Sequence, residues 1–129
     1  MTQNLRRIDA TEADTLKTIT DFLDLQMAQG KLVYIRHNPS TVISKVVRGK
    51  IKTAFKKVRQ SQLGAPDLMV FKRISFSKWG TYTETFCIEV KSPTGKVSPA
   101  QERWAGLAVA QGCRYIVARS LEDVRENLG

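Results

Sequence analysis

The chain has 129 residues, 42% hydrophobic and 26% charged, which is the size and balance of one globular domain able to bury a core. It has no run of about 18 apolar residues and no apolar stretch after Arg6 and Arg7, which argues against a membrane span and a signal peptide. The formal net charge of +9 suits a polyanionic partner, most of all nucleic acid, and also fits a solubilising face or an anionic lipid surface.

Residues 1–10 read as a flexible N-terminus and 11–129 as one domain. Thr11 is a predicted N-cap, with Glu12 and Asp14 in the first turn where the helix dipole favours negative charge. The helix is expected to run to about Gln29 and stop at Gly30. Its apolar stripe is Leu16, Ile19, Phe22, Leu23 and Met27. Glu12 lies four residues before Leu16, so this reading puts it at the edge of the buried face. Lys31 to His37 reads as a strand ended by Asn38-Pro39-Ser40. His37, the only histidine, reads as a solvated loop residue, with a contact to DNA as the alternative.

From Asn38 to Pro66 there is no acid, while Lys45, Arg48, Lys50, Lys52, Lys56, Lys57 and Arg59 are basic. Val47, Ile51, Ala54, Phe55 and Val58 recur at helical spacing, which predicts a basic, partly helical insert over 40–63, weakened by Gly49. Such a block suits nucleic acid, and it also fits a solvated face or a lipid-surface helix.

Gln62 to Pro66 reads as a turn and Asp67 to Arg73 as a strand. A hairpin turn is expected near Lys78-Trp79-Gly80, followed by a strand from Thr85 to Lys91. In that strand Phe86, Ile88 and Val90 alternate with Cys87, Glu89 and Lys91. Ser98, Pro99 and Gln101 spell a capping box for a helix carrying Trp104, Leu107 and Ala108 and ending at Gly112. Cys113 to Ala118 reads as a strand, and Ser120 caps a helix from Leu121 to Leu128. The segment from Glu89 through that helix to Val117 has the length of a β-α-β crossover, so its strands are expected to be parallel. The fold class is α/β, a mixed sheet flanked by helices with the core order α-β-β-β-α-β. Cys87 and Cys113 have neither CxxC spacing nor nearby histidines, so they read as free, buried thiols of a reducing compartment, with no zinc site.

The chemistry gathers around two short stretches. In Gly64-Ala65-Pro66-Asp67, Gly64 permits positive φ and Pro66 lacks an N–H, so a tight turn delivers Asp67 to the start of a strand. In Ile88-Glu89-Val90-Lys91, Glu89 and Lys91 emerge on one strand face. Neighbouring strands lie about 5 Å apart, so Asp67 and Glu89 can converge, with Glu12 nearby. Clustered carboxylates repel one another without a cation, and all-oxygen ligands suit Mg²⁺ or Mn²⁺. Read blandly, the same residues are an ordinary turn and a solvated strand face. Trp79 and Tyr82 near the hairpin tip fit base stacking or a dimer interface equally.

Pro66-Asp67 followed by Glu89-Val90-Lys91 resembles the PD-(D/E)XK nuclease superfamily. Thr11-Glu12, Gly64-Ala65-Pro66-Asp67-Leu68, Ile88-Glu89-Val90-Lys91, Gly95-Lys96-Val97-Ser98 and Gln101 with Trp104, in that order, resemble a stand-alone VRR-NUC domain of the small type found in bacteriophages and bacteria. The resemblance implies metal-dependent phosphodiester hydrolysis. It implies Asp67 and Glu89 as metal ligands with the Val90 carbonyl, and Glu12 as a direct or water-mediated ligand. Lys91 would serve the attacking water or the phosphate, and Gln101 would orient Lys91 or the phosphate. Mg²⁺ is the implied cofactor, with Mn²⁺ as a substitute, and no organic cofactor or membrane is implied. The implied partner is branched DNA, four-way junctions above all, bound by a homodimer in the cytoplasm of a bacterial or phage-infected cell. The expected DNA contacts are Arg36, Lys45, Arg48, Lys50, Lys52, Lys56, Lys57, Arg59 and Lys96. A flap nuclease, a non-specific DNA nuclease and a non-catalytic DNA-binding module are the competing readings.

Overall fold

The computed structural model describes residues 11–37, 42–47, 50–55 and 63–129. In chain order the elements are α1 (Glu12–Ala28), β1 (Val33–Arg36), β2 (Val42–Val47), β3 (Lys50–Phe55), β4 (Leu68–Phe76), β5 (Gly80–Val90), α2 (Pro99–Ala110), β6 (Arg114–Ala118) and α3 (Leu121–Leu128). A 3-10 turn, Ser77–Trp79, joins β4 to β5. No helix of the described residues is long and apolar enough to cross a membrane.

The helix ends follow their caps. Thr11 and Asp14 form a reciprocal capping box on α1, and Ser98 and Gln101 form another on α2. Gly30 and Gly112 stop these two helices at φ +72° and +92°, where an L side chain is strained. Ser120 caps α3 by accepting from the Asp123 N–H. Each such cap contributes about 1 kcal/mol.

β1, β4, β5 and β6 form one four-stranded sheet in the order β1-β4-β5-β6. β1–β4 and β4–β5 are antiparallel, and β5–β6 is parallel, as the crossover length requires. β5 is the long central strand, and Phe86 to Val90 are buried on both faces. One face carries Leu68, Val70, Phe86, Ile88, Val90, Ile116 and Ala118 into a core with Ile19 and Leu23 of α1 and Val124 and Leu128 of α3. Two-residue alternation puts Asp67, Glu89 and Tyr115 on the other face, the side on which the N-terminus of α2 meets β5. The larger core therefore lies on one side of the sheet, while the other side carries Glu89 and Tyr115 beside the buried Cys87, with α2 packed against it.

The structure departs from the sequence reading in several places. Residues 42–47 and 50–55 pair as an antiparallel two-stranded sheet, not a helix. The apolar spacing in this segment fits both periods. The dense β-branching of Val42, Ile43, Val46, Val47, Ile51 and Thr53 favours strands, and only two residues separate the paired Val47 and Lys50. The buried stripe of α1 is Thr15, Ile19 and Leu23, Met27 is exposed, and so is Glu12. Leu107 of α2 is exposed and only Ala108 is buried in that helix. Cys87 is buried, while Cys113 precedes β6 and is half-buried. His37 is half-buried, and its N–H donates to the Asp67 carbonyl at 2.8 Å.

Candidate active site

Asp67 stands at the mouth of β4, and Leu68 pairs with Ile88, so the register brings Asp67 level with Glu89. Asp67 is fixed at both ends. Its Oδ2 accepts from the Val90 N–H at 2.8 Å, and its carbonyl accepts from the His37 N–H. The Val90 amide therefore orients the first carboxylate toward the second.

Glu89 is 3% exposed, on the polar side of the central strand. Its Oε1 accepts from Gln101 Nε2 at 2.8 Å and lies 3.7 Å from Lys91 Nζ. Its Oε2 is buried and has no hydrogen-bond partner among the described residues. Burial pushes the Glu89 carboxyl up to about 8, and the Asp67 charge adds to the rise, partly offset by Lys91, with a smaller push from Glu12. A buried carboxylate beside a second one is costly as an anion, and the Lys91 ammonium offsets only part of that cost.

Gln101 closes the capping box and also bonds Glu89; no bond to Lys91, which the sequence reading gave it to orient, is among its contacts in the described residues. Its Oε1 accepts from the Ser98 N–H at 2.9 Å, closing the capping box, while its Nε2 reaches Glu89. One amide thus ties the start of α2 to the centre of β5.

Gly64 brings the turn before β4 against the start of α2. Its φ is +80°, and a Cβ there would lie 2.1 Å from the Ala100 carbonyl oxygen and 2.8 Å from the Gln101 nitrogen. The sequence reading gave Gly64 only a turn, whereas the structure also gives it a backbone-to-backbone approach against α2. Gly64→Ala is therefore expected to lower the unfolding free energy by about 2 kcal/mol or more in a denaturant titration. An unchanged midpoint would show that α2 yields without strain.

The sequence reading missed two residues at this site. Arg119 Nη1 donates to the carbonyls of Ser92 at 2.6 Å and Gly95 at 2.7 Å, and the Lys91 N–H donates to the Ala118 carbonyl at 2.9 Å. The end of β6 thus anchors the loop that leaves Lys91 and carries Lys96. No local pattern announces a contact between residues 24 apart. Tyr115 is the cross-strand partner of Cys87. Its buried hydroxyl finds no partner among the described residues, and burial together with the Glu89 charge raises its pKa.

The remaining predicted residues are more dispersed. Glu12 is exposed at the start of α1, close enough for its charge to be felt by Glu89. Among the described residues no three His, Cys, Asp or Glu side chains form a cluster that could hold an ion. The two-carboxylate pair, Asp67 with Glu89, is therefore the assembled part. Mg²⁺ commonly takes one or two carboxylates and completes its shell with water and substrate phosphate, so a pair with an unpartnered oxygen fits it. Arg36 and Lys96 are exposed. Lys45 and Lys52 are paired positions in the β2–β3 ladder, with Lys50 opposite Val47. Arg48, Lys56, Lys57 and Arg59 lie outside the described residues.

The family model for the VRR-NUC domain matches residues 3–122 of the 129-residue chain. Comparison with curated proteins and with solved structures finds no match. A turn-borne Asp67, a buried Glu89 and a neighbouring Lys91 on one sheet face, under a family match that spans nearly the whole chain, lead to one conclusion: the chain belongs to the VRR-NUC domain family, within the PD-(D/E)XK nucleases, and is a nuclease domain acting on DNA.

Proposed function

We propose that this domain is a metal-dependent endodeoxyribonuclease that hydrolyses phosphodiester bonds in branched DNA, four-way junctions in particular, as a homodimer. The observation that carries the metal dependence is Glu89: a carboxylate 3% exposed, beside Asp67, with one oxygen that has no hydrogen-bond partner among the described residues. Asp67 and Glu89 would hold Mg²⁺ or Mn²⁺, with the Val90 carbonyl and Glu12, directly or through water, as the further ligands. Bound there, the ion supplies a Lewis acid for the phosphoryl oxygen and a water of lowered pKa.

The protein's own groups have separate tasks. The Val90 N–H and Gln101 Nε2 each take one carboxylate oxygen, so the other two oxygens of the pair would be the ones to hold the ion. Lys91, half-buried and 3.7 Å from Glu89, places a fixed positive charge where charge develops on the scissile phosphate and its attacking water. Exposed Arg36 and Lys96, with the basic segment between Asn38 and Pro66, offer donors to the phosphate backbone. The free thiols Cys87 and Cys113 support a reducing compartment; that this is the cytoplasm of a bacterial or phage-infected cell follows from the family resemblance alone.

The test uses a four-way junction, a flap and a linear duplex, each with Mg²⁺, with Mn²⁺ and with EDTA. The expected result is cutting of the junction in preference to the duplex, abolished by EDTA. No cleavage of any substrate under either metal overturns the reading, and cleavage in EDTA overturns its metal dependence.

A further inference from the structure

The β4–β5 hairpin outgrows the sheet that holds it. β1 pairs with β4 only over Leu68–Phe71, and β6 pairs with β5 only over Phe86–Val90. The β4–β5 ladder continues past both, to the Phe76–Gly80 pair. Residues 72–76 and 80–84 therefore form a two-stranded ribbon with no flanking strand among the described residues. Five residues at about 3.3 Å each carry it roughly 16 Å beyond the sheet.

The faces of this ribbon differ. Arg73, Ser75, Thr81 and Thr83 have the same strand parity as Glu89, so they share the face that bears the candidate site, and all four are exposed. The opposite face carries Ile74, Phe76 and Tyr82, with the Phe76 and Tyr82 rings 5.8 Å apart. At the tip Trp79 is 81% exposed, with Lys78 Nζ 5.3 Å from its ring centre. The only acid on the ribbon, Glu84, is paired with Arg114 at 3.4 Å.

We infer that this ribbon is a duplex-DNA arm, gripping the substrate about eight base pairs from the bond that is cut. From Glu89 back to Thr81 is eight residues of extended strand, roughly 26 Å, which is close to eight base steps at about 3.4 Å per step. Hydroxyl and guanidinium donors in line along one face suit phosphate oxygens spaced along a duplex. A two-stranded ribbon is narrow enough for the major groove, and an exposed indole under a lysine suits a base or sugar at the tip. The inference rests on the DNA-cleavage reading above and extends it to a second contact region on the same sheet face.

The test measures binding without cutting. Asp67→Asn protein is titrated by fluorescence anisotropy against one junction whose arms are 5, 8, 11 or 15 base pairs long. Affinity is expected to rise at least tenfold as the arms pass about eight base pairs, then level off. Adding Arg73→Ala, Thr81→Ala and Thr83→Ala together is expected to remove most of that gain, to leave short-arm affinity within twofold, and to shallow the salt slope on long arms. Trp79→Ala alone is expected to remove part of it. All of these positions are exposed, and an unchanged melting temperature verifies that the variants fold. Equal losses on every arm length, or no loss, overturn the inference. Conversion of a dimer to a monomer by Trp79→Ala in light scattering also overturns it, because the tip is then an interface between copies. Protein that binds none of these DNAs, whatever the arm length, overturns the DNA reading beneath it instead.

Discussion

Asp67→Asn is expected to lower the cleavage rate by at least a thousandfold while leaving the folded protein intact. The amide keeps an oxygen able to accept from the Val90 N–H, so the local geometry survives. It loses the charge that a divalent cation requires, and a thousandfold loss corresponds to about 4 kcal/mol of transition-state stabilisation. Lys91→Ala is expected to cost about a hundredfold to a thousandfold, the range found when one fixed charge or donor is removed from a developing anion. The Lys91 side chain is 13% exposed and makes no contact shorter than 3.7 Å to Glu89, so its loss is expected to lower the melting temperature by only a few degrees, far less than unfolding would require to explain the lost activity. Single-turnover cleavage of a junction in Mg²⁺, beside a thermal melt of each variant, separates the two effects. Cleavage persisting in either variant would sink the assignment of these residues. A collapse of the melt in step with activity would mean a structural role instead.

Glu89→Gln is expected to make the metal-free protein more stable above neutral pH. The Glu89 carboxyl is pushed up to about 8 in the fold by burial first and by Asp67 next, whereas in an unfolded chain it titrates near 4.3. The folded state therefore holds a proton that the unfolded state has lost between those two values. Stability is then greatest below the unfolded value and declines as pH rises through the folded one. Because the shift is partly relieved by relaxation, the loss between pH 5 and pH 8.5 is expected to be on the order of 3 kcal/mol, or roughly 10 °C in melting temperature for a domain of this size. Glu89→Gln should flatten that slope and lie above the unsubstituted protein at pH 8.5, while cutting no DNA. Saturating Mg²⁺ or Mn²⁺ should also flatten it in the unsubstituted protein, since a bound cation favours the ionised carboxyl. A pH-independent melt, or a slope that neither Gln nor a divalent ion alters, would refute this account of the carboxylate pair. The gain in stability with loss of activity is the signature of a site whose charges are arranged for chemistry and not for folding.

Parts of the fold were legible because their causes are local. Thr11, Ser98 and Ser120 announce helix starts through the bonds their hydroxyls make within three residues, and Gly30 and Gly112 announce stops through their φ angles. Phe86 to Val90 announce a strand by alternation and β-branching. The segment from residue 42 to 55 was misread because its apolar spacing satisfies 3.6 and 2 alike. There β-branching and the two-residue gap were the better guides.

The candidate site divides the same way. Amino-acid order alone marked out the candidates: Asp67 after a Gly-Ala-Pro turn, Glu89 and Lys91 two apart on one strand, and Gln101 three residues past a helix cap. Only the tertiary structure decided their environments. It buried Glu89 to 3% exposure, left one of its oxygens without a partner among the described residues, and left Glu12 exposed at the helix start. It also gave Gln101 both a cap and a carboxylate to hold, set Gly64 against Ala100, and closed Arg119 over the Ser92–Gly95 loop. The reason is physical. Caps, turns and alternation depend on neighbours a few residues away, whereas desolvation, carboxylate repulsion and backbone close approach depend on which distant segments the packed sheet brings together.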